Sequence, residues 1–378
     1  MPGALEGILV IALEQAVAAP LATSRLADAG ARVIKLERPE GDFARGYDDH
    51  VRGLSSYFVW NNRGKESCVV DLKGPEDLAL VENMLASADV FIQNLAPGAT
   101  DRLGIGSKAL RERYPRLIVC DIGGFAPGTP GYERKAYDLL VQAEAGLAAV
   151  TGSESSGPSR VGISISDVST GQAAYAAILE MLFQRTRTGK GAHIQLSLFD
   201  TMAEYMNVPY LGRRYAGKEP KRLGLAHPSI APYGAFATSD GAVLISIQND
   251  REWHAFCQSV LKREELASDS RFSSNIDRCN NRDTLDAIVQ GALRPFSSDD
   301  LCELLDRVRI AYGRISTMED LMQHQSATTA SVATSVGDVE VLAPPVIIDG
   351  HRAVLGRVPE IGEHTVGLRA QFAHTASE

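Results

Sequence analysis

The chain opens on an apolar run, "GILVIAL" (7–13), then an alanine-rich stretch, "APLATSRLADAG" (19–30), then a second short run, "ARVIKLE" (31–37). Short runs rich in β-branched residues predict strands buried on both faces, and the stretch between them predicts a helix stopped by Gly30. Strand, helix and strand in that order require a parallel pair joined by a right-handed crossover. The alternation continues through "SCVVDL", the helix "GPEDLALVENMLASA", the strand "DVFIQN", the helix "GATDRLGIGSKALRERY" and the strand "RLIVCDI". The prediction is an α/β fold built on a doubly wound parallel sheet.

Beyond about residue 200 the pattern changes. "GRRYAGKEPKRLGLAHPSIAPYG" (212–234) is rich in glycine, proline and base and predicts a long irregular connection. "AFATSDGAVLISI" predicts a hairpin turning at Ser239, Asp240 and Gly241. The stretches "REWHAFCQSVL", "RDTLDAIVQGAL" and "SSDDLCELLDRV" predict helices. The expected organisation is a large domain over 1–210, a linker over 211–225 and a small α+β domain over 226–325. The tail, 326–378, then returns to the large domain.

The length, 378 residues, is ample for two or three domains. A net charge of −9 speaks against nonspecific binding to nucleic acid or to an anionic membrane, so any anionic ligand needs a local cluster of bases. Cys68, Cys120, Cys257, Cys279 and Cys302 are scattered without a CxxC pair, which fits structural thiols in a reducing cytoplasm. The histidines show no HExxH spacing, and no metal site is expected. "GILVIAL" lacks a basic leader and is flanked by Glu6 and Glu14, so it reads as a strand rather than a signal peptide. A soluble cytoplasmic protein is expected.

One acid stands apart. In "RVGISISDVSTGQ" (160–172), Ile163 and Ile165 alternate with small residues and predict a buried strand, and "QAAYAAILEMLF" predicts an apolar helix. Asp167 falls at the junction. It reads either as an N-cap or as a nucleophile, and the two are compatible. Amide donors and the helix dipole at such a junction are expected to depress its pKa. Ser166, Ser169, Thr170 and Gly171 leave room for a substrate.

Lys35, Arg38, Arg45, Lys73, Arg102 and Lys135 fall at or just after predicted strand ends or in the following turns, where ligands of open α/β sheets bind. Singly they read as solvated charges; together they form a patch for a ligand with several phosphates. Glu37 ends the second strand, where such folds often hold a ribose. The turn after the first strand, "EQAVAAPLA", nevertheless has no GxGxxG, which speaks against a nicotinamide dinucleotide. His193 reads as structural, Tyr137 equally as structural or functional, and Glu14 and Gln15 occupy a common ligand-side position.

Several stretches then converge. "LEGILVIALEQAVAAPLATSRLADAGARVIKLERPEGDFAR", "NRGKESCVVDLKGPED", "FIQNLAPGATDRLGIG", "YERKAYDLLVQAEAGL", "GISISDVSTG", "RTGKGAHIQLSLFD" and "RLGLAHPSIAPYGAF" resemble, in order, the class III (formyl-CoA transferase-like, CaiB/BaiF) CoA-transferases and 2-methylacyl-CoA racemases. The resemblance implies a Rossmann-like large domain with a smaller α+β domain in an interlocked homodimer. It implies acyl-CoA and a small carboxylic acid as substrates, with no permanently bound cofactor. In such transferases the acid of D-x-x-T-G, here Asp167, is the nucleophile that forms an aspartyl-CoA thioester. Carried over by position, Lys35, Arg38, Asp71, Leu72, Lys73, Asn94, Ala96 and Arg102 line the coenzyme A groove, and Lys135 and Tyr137 lie near the thioester. Glu14, Gln15, Val17, Arg45 and His227 are candidate substrate residues, and Arg213, Arg214, Lys221 and Arg222 are candidates to meet a distal carboxylate. Val17 replaces the glutamine of some formate–oxalate transferases, and their glycine-repeat loop is replaced by "GLAHPSIAPYG". Both departures point to a succinyl- or glutaryl-type dicarboxylate enzyme. The racemase branch carries His before Asp where this chain has Tyr137, a poor base at neutral pH. A non-catalytic CoA-binding scaffold stays open beside both.

Overall fold

The computed structural model describes residues 3–373. Six strands form one parallel sheet: β1 (Leu9–Leu13), β2 (Arg32–Glu37), β3 (Lys65–Val69), β4 (Val90–Gln93), β5 (Ile118–Gly123) and β6 (His193–Ser197). Their order is β3-β2-β1-β4-β5-β6. The chain therefore winds outward from β1 in one direction and reverses at β4, and the crevice at that reversal is where such sheets take ligands. The first eight helices are α1 (Ala18–Asp28), α2 (Ser56–Asn62), α3 (Pro75–Ser87), α4 (Ala99–Arg102), α5 (Ser107–Arg113), α6 (Asp138–Glu144), α7 (Leu147–Val150) and α8 (Ile165–Thr188).

Alternation along each strand explains why both faces are covered. Ile11, Ile34, Phe91 and Val119 point to one face and pack with Leu80, Val81, Met84 and Leu85 of α3 and with Leu368 and Phe372 near the C terminus. Val10, Val33, Ile92 and Ile118 point to the other, against Ala18, Ala22 and Leu26 of α1 and Ala174, Ile178 and Leu182 of α8. Helices α1 and α8 lie close because Gly171 has no side chain: a Cβ there would stand 2.5 Å from the Ala18 carbonyl oxygen. An antiparallel hairpin, β10 (Thr329–Thr334) with β11 (Gly337–Leu342), packs Val332 and Val339 on Phe58 and Val59 of α2.

The chain divides into two compact units. One comprises the residues up to Ala148, Arg160–Tyr210 and those from Thr328 on; the other comprises Ala149–Ser159 and Leu211–Ala327. The second unit has an antiparallel sheet of β7 (Tyr233–Ala237), β8 (Ala242–Ser246) and β9 (Ala311–Arg314), and a core around Trp253, Phe256, Phe272, Leu285 and Leu301.

Three local expectations are corrected. Residues 161–164 form no strand; α8 starts at Ile165, and Ile163 is exposed. An alternation of only two isoleucines and small serines serves a helix N-terminus as readily as a strand. The single helix expected over 98–114 is two, α4 and α5, parted at Gly104, whose φ of 75° ends the first. The connection expected to be irregular from 212 begins as helix, Asn207–Ala216.

Candidate active site

The carboxyl of Asp167 sits in the first turn of α8, where its small neighbours Ser166, Ser169 and Thr170 are buried. It is half-buried and accepts no hydrogen bond from any described residue. The cap role is therefore absent, and so is the depressed pKa it would bring. Burial, then the nearby charge of Asp138, raises the Asp167 carboxyl from 3.8 to about 7. Asp138, the first residue of α6, is the buried partner that sequence reasoning missed. Its Oδ1 accepts Ser166 N–H at 2.9 Å and Ser166 Oγ at 2.6 Å, and its Oδ2 accepts Gln142 Nε2 at 2.8 Å. These donors hold the Asp138 carboxyl in place beside Asp167, where its charge is the second cause of the raised Asp167 pKa. In Asp138→Asn the Asp167 midpoint is expected to drop below about 7, read by carboxyl-carbon NMR. An unmoved midpoint would leave burial as its only cause.

Aromatic rings stand beside this carboxyl. Tyr47 packs edge-on against Tyr57 at 5.5 Å between centroids and is tilted by 56° against Phe43 at 5.6 Å. Burial and the charges of Asp42 and Asp167 push its phenol up to about 12, so it is a neutral donor at physiological pH. The Tyr57 hydroxyl lies 3.5 Å from Ser164 Oγ, and Tyr137 is 60% exposed. Neither Tyr47 nor Tyr57 carries a sequence signal; chain topology alone brings them here.

Of the coenzyme A candidates, Arg38 follows β2, Asp71, Leu72 and Lys73 follow β3, and Asn94, Ala96 and Arg102 follow β4. All stand beyond carboxyl ends of neighbouring strands. Arg38, Lys73, Arg102 and Lys135 are exposed and make no ion pair among the described residues, which leaves their charge for a ligand. Leu72 packs partly on the core, and Asp71 Oδ1 accepts the Lys73 N–H at 3.1 Å.

Four candidates have other work. Lys35 lies within β2 and is fully buried, with Nζ 2.8 Å from Asp42 and 3.5 Å from Glu14. Glu14 is buried as well and meets Lys65 Nζ at 2.6 Å and Thr23 Oγ1 at 2.6 Å. Arg45 is bidentate to Glu37, at 2.9 and 2.7 Å, and stacks 3.7 Å from the Phe58 centroid. Val17 is 2% exposed and faces the core. In the structure these side chains are engaged with other protein groups. Glu37 is likewise engaged with Arg45, Ser67 and the Asp42 N–H, and these partners overcome its burial to hold it at about 2, so it is not free for a ribose.

In the second unit His227 stacks on Tyr233, 5.1 Å between centroids and 8° between planes. Ser229 N–H donates to its Nδ1 at 3.2 Å, so Nε2 carries the proton, and burial together with Arg282 lowers its pKa. His193, in the first unit, pairs with Asp121 at 2.6 Å. Among the described residues no group of three or more His, Cys, Asp or Glu is placed to hold a metal ion, and no helix is long and apolar enough to cross a membrane.

The family model for CoA-transferase family III matches residues 5–365. The chain belongs to CoA-transferase family III. Acetyl-CoA:oxalate CoA-transferase of Acetobacter aceti is 35% identical over 98% of this chain and 96% of its own length. Succinyl-CoA:glutarate CoA-transferase of Mus musculus is 34% identical over 96% of this chain and 84% of its own. The crystal structure of a CaiB/BaiF family protein from Brucella suis superposes with a TM-score of 0.83 at 34% identity, covering 98% of this chain and all of the other. The protein is thus a family III CoA-transferase, and these relatives are named as transferases that act on coenzyme A thioesters.

Proposed function

We propose that Asp167 is the covalent nucleophile of a transferase that moves coenzyme A from succinyl-CoA to a small dicarboxylate. The observation that carries the reading is the environment of that carboxyl. It is half-buried among small side chains, accepts no hydrogen bond from the described residues, and is basic for a carboxylate because of burial and Asp138. A more basic carboxylate is a stronger nucleophile, and a site sheltered from water protects the anhydrides it forms.

In the first step a carboxylate oxygen of Asp167 attacks the acyl carbon, the C–S bond breaks, and an acyl-aspartyl anhydride and CoA thiolate result. The thiolate then attacks the aspartyl carbonyl, releasing the donor acid and leaving an aspartyl-CoA thioester. The acceptor carboxylate attacks that carbonyl, giving a second anhydride and the thiolate again. Attack of the thiolate on the acceptor acyl carbon yields the new acyl-CoA and restores the Asp167 carboxylate. No proton and no water is consumed. Arg38, Lys73, Arg102 and Lys135 supply the charge for the phosphates of coenzyme A, beside Asp71, Leu72 and Ala96, and Tyr137 lies at the thioester. Gln15 is the proposed contact to the acceptor. Both a glutarate and an oxalate enzyme stand among the relatives, so dicarboxylates of either length belong in the acceptor screen. The reading includes a cytoplasmic homodimer, whose two-chain mass light scattering of the purified protein tests.

Incubation with succinyl-CoA, quenching with hydroxylamine and peptide mass spectrometry are expected to place a hydroxamate on Asp167. Full turnover with Asp167 unlabelled would refute the proposal.

A further inference from the structure

The turn from β1 to α1 contains a non-glycine residue in left-handed backbone, Ala16 with φ 64°. A residue with a Cβ stays there only where its surroundings hold it. The holding groups come from other segments. Asn94 Oδ1 accepts the Gln15 N–H at 2.9 Å, and Asn94 Nδ2 donates to the Gln15 carbonyl at 2.8 Å. Asp42 Oδ1 accepts the Ala16 N–H at 3.2 Å, and Lys35 Nζ reaches the Glu14 carbonyl at 3.4 Å. The turn that carries Asn94 is itself fixed: Gln93 Oε1 accepts the Leu95 N–H at 2.7 Å, and Gln93 Nε2 donates to Asp121 at 3.0 Å.

Strands β1 and β4 are the neighbours between which the winding of the sheet reverses. In a dinucleotide enzyme the glycine turn opens that crevice to a pyrophosphate. Here the Asn94 amide closes it, and both polar atoms of the side chain are spent on Gln15. The turn also fixes the start of α1, whose Ala18 carbonyl would lie 2.5 Å from a Cβ at Gly171, one helical turn beyond Asp167.

We infer that Asn94 is a positioning residue for CoA transfer: its amide sets the 14–17 turn and the start of α1 against the Asp167 turn of α8, and its side chain does not contact coenzyme A. The inference rests on Asp167 being the nucleophile. Anhydride formation and thiolate return need the reacting atoms held within a fraction of an ångström, and a misplacement of about 1 Å costs about 100-fold in rate.

The test compares wild type, Asn94→Ala and Asn94→Asp in succinyl-CoA:glutarate transfer, with hydrogen exchange followed at the amides of residues 15–18. In Asn94→Ala, kcat is expected to fall about 10- to 100-fold, with the KM for succinyl-CoA within about twofold of wild type. Exchange at the Gln15 amide is expected to accelerate. Asn94→Asp keeps the acceptor for Gln15 N–H but sets oxygen against the Gln15 carbonyl, so it is expected to lose kcat in the same way; it also decides the matter should the alanine variant not fold. A raised KM for succinyl-CoA at unchanged kcat would make Asn94 a coenzyme A contact and overturn the inference. Unaltered exchange at Gln15 would overturn it too. If Asp167 proved not to be acylated in wild type, the proposed function would fail, whereas the exchange result would still decide whether Asn94 holds the turn.

Discussion

Asp167→Asn is expected to lose CoA transfer by on the order of 10,000-fold or more in kcat, and at the same time to make the protein more stable above neutral pH. Asparagine fills nearly the same volume but offers no carboxylate to acylate, so nucleophilic turnover ends. The stability gain follows from proton linkage. The folded-state pKa of Asp167, about 7, exceeds its ordinary 3.8, so between those values the folded chain binds more protons than the unfolded one. Wild-type stability therefore falls as pH rises through that window, and the penalty is complete above it. Asparagine carries no such penalty. Each tenfold change in proton affinity is worth about 1.4 kcal/mol. With partial screening of a half-buried carboxyl, the gain at pH 8 should be on the order of 2 kcal/mol. Urea titrations of both proteins should diverge between pH 4 and 7 and coincide below pH 4. The same pKa places the acid limb of kcat/KM near 7, with activity rising as Asp167 ionises. Lost activity with parallel stability curves would mean that burial does not set the basicity of this side chain.

The parts of the fold that local sequence reveals are those fixed by short-range physics. The alternation of β1, α1 and β2 was readable because strands buried on both faces must be continuously apolar, and the hairpin of β7 and β8 because Ser239, Asp240 and Gly241 interrupt an apolar run. Lys35 shows where that reasoning stops. Its place near a strand end resembles that of a ligand residue, yet strand parity turns it into a buried space beside β1, where Ala12 and Lys35 are paired. Its partners Glu14 and Asp42 come from other turns, and no spacing rule connects them. Asp167 was legible as a residue apart, but not its pKa. The expected cap bonds are absent, and the second carboxylate, Asp138, arrives from a helix 29 positions earlier. The missing glycine fingerprint had a readable meaning, whereas the Asn94 amide that takes its place at the crevice did not.

Glu14→Gln is expected to unfold the protein at moderate temperature, a larger loss of stability than any surface substitution here. Glu14, Asp42, Lys35 and Lys65 form a buried set of two carboxylates and two ammonium groups, with the side chains of Glu14, Lys35 and Lys65 wholly inaccessible. Burial opposes the charge on Glu14, but Lys65 and Lys35 outweigh it and lower its pKa. Burial pushes Lys65 down to about 7 even with Glu14 at 2.6 Å. Removing the carboxylate leaves Asp42 as the one carboxylate of this set facing Lys35 and Lys65. Breaking such a pair from one side costs about 3–5 kcal/mol, against a total of about 5–15 kcal/mol for a typical domain. The sign of the pH dependence identifies the cause. Without Glu14 the folded-state pKa of Lys65 drops below about 7, far under its ordinary 10.5. Wild type keeps Lys65 charged up to about 7, so below that value only the folded variant has shed this proton, and the variant's deficit shrinks as pH rises toward 7 and is constant above it. Glu14→Gln combined with Lys65→Met leaves Asp42 and Lys35 as a balanced pair, and is expected to recover more than half of the loss. Chemical denaturation of wild type and the two variants from about pH 5 to 8 measures both effects. A single variant whose deficit ignores pH and is not relieved by Lys65→Met would assign the role of Glu14 to packing and to its bond with Thr23 rather than to charge.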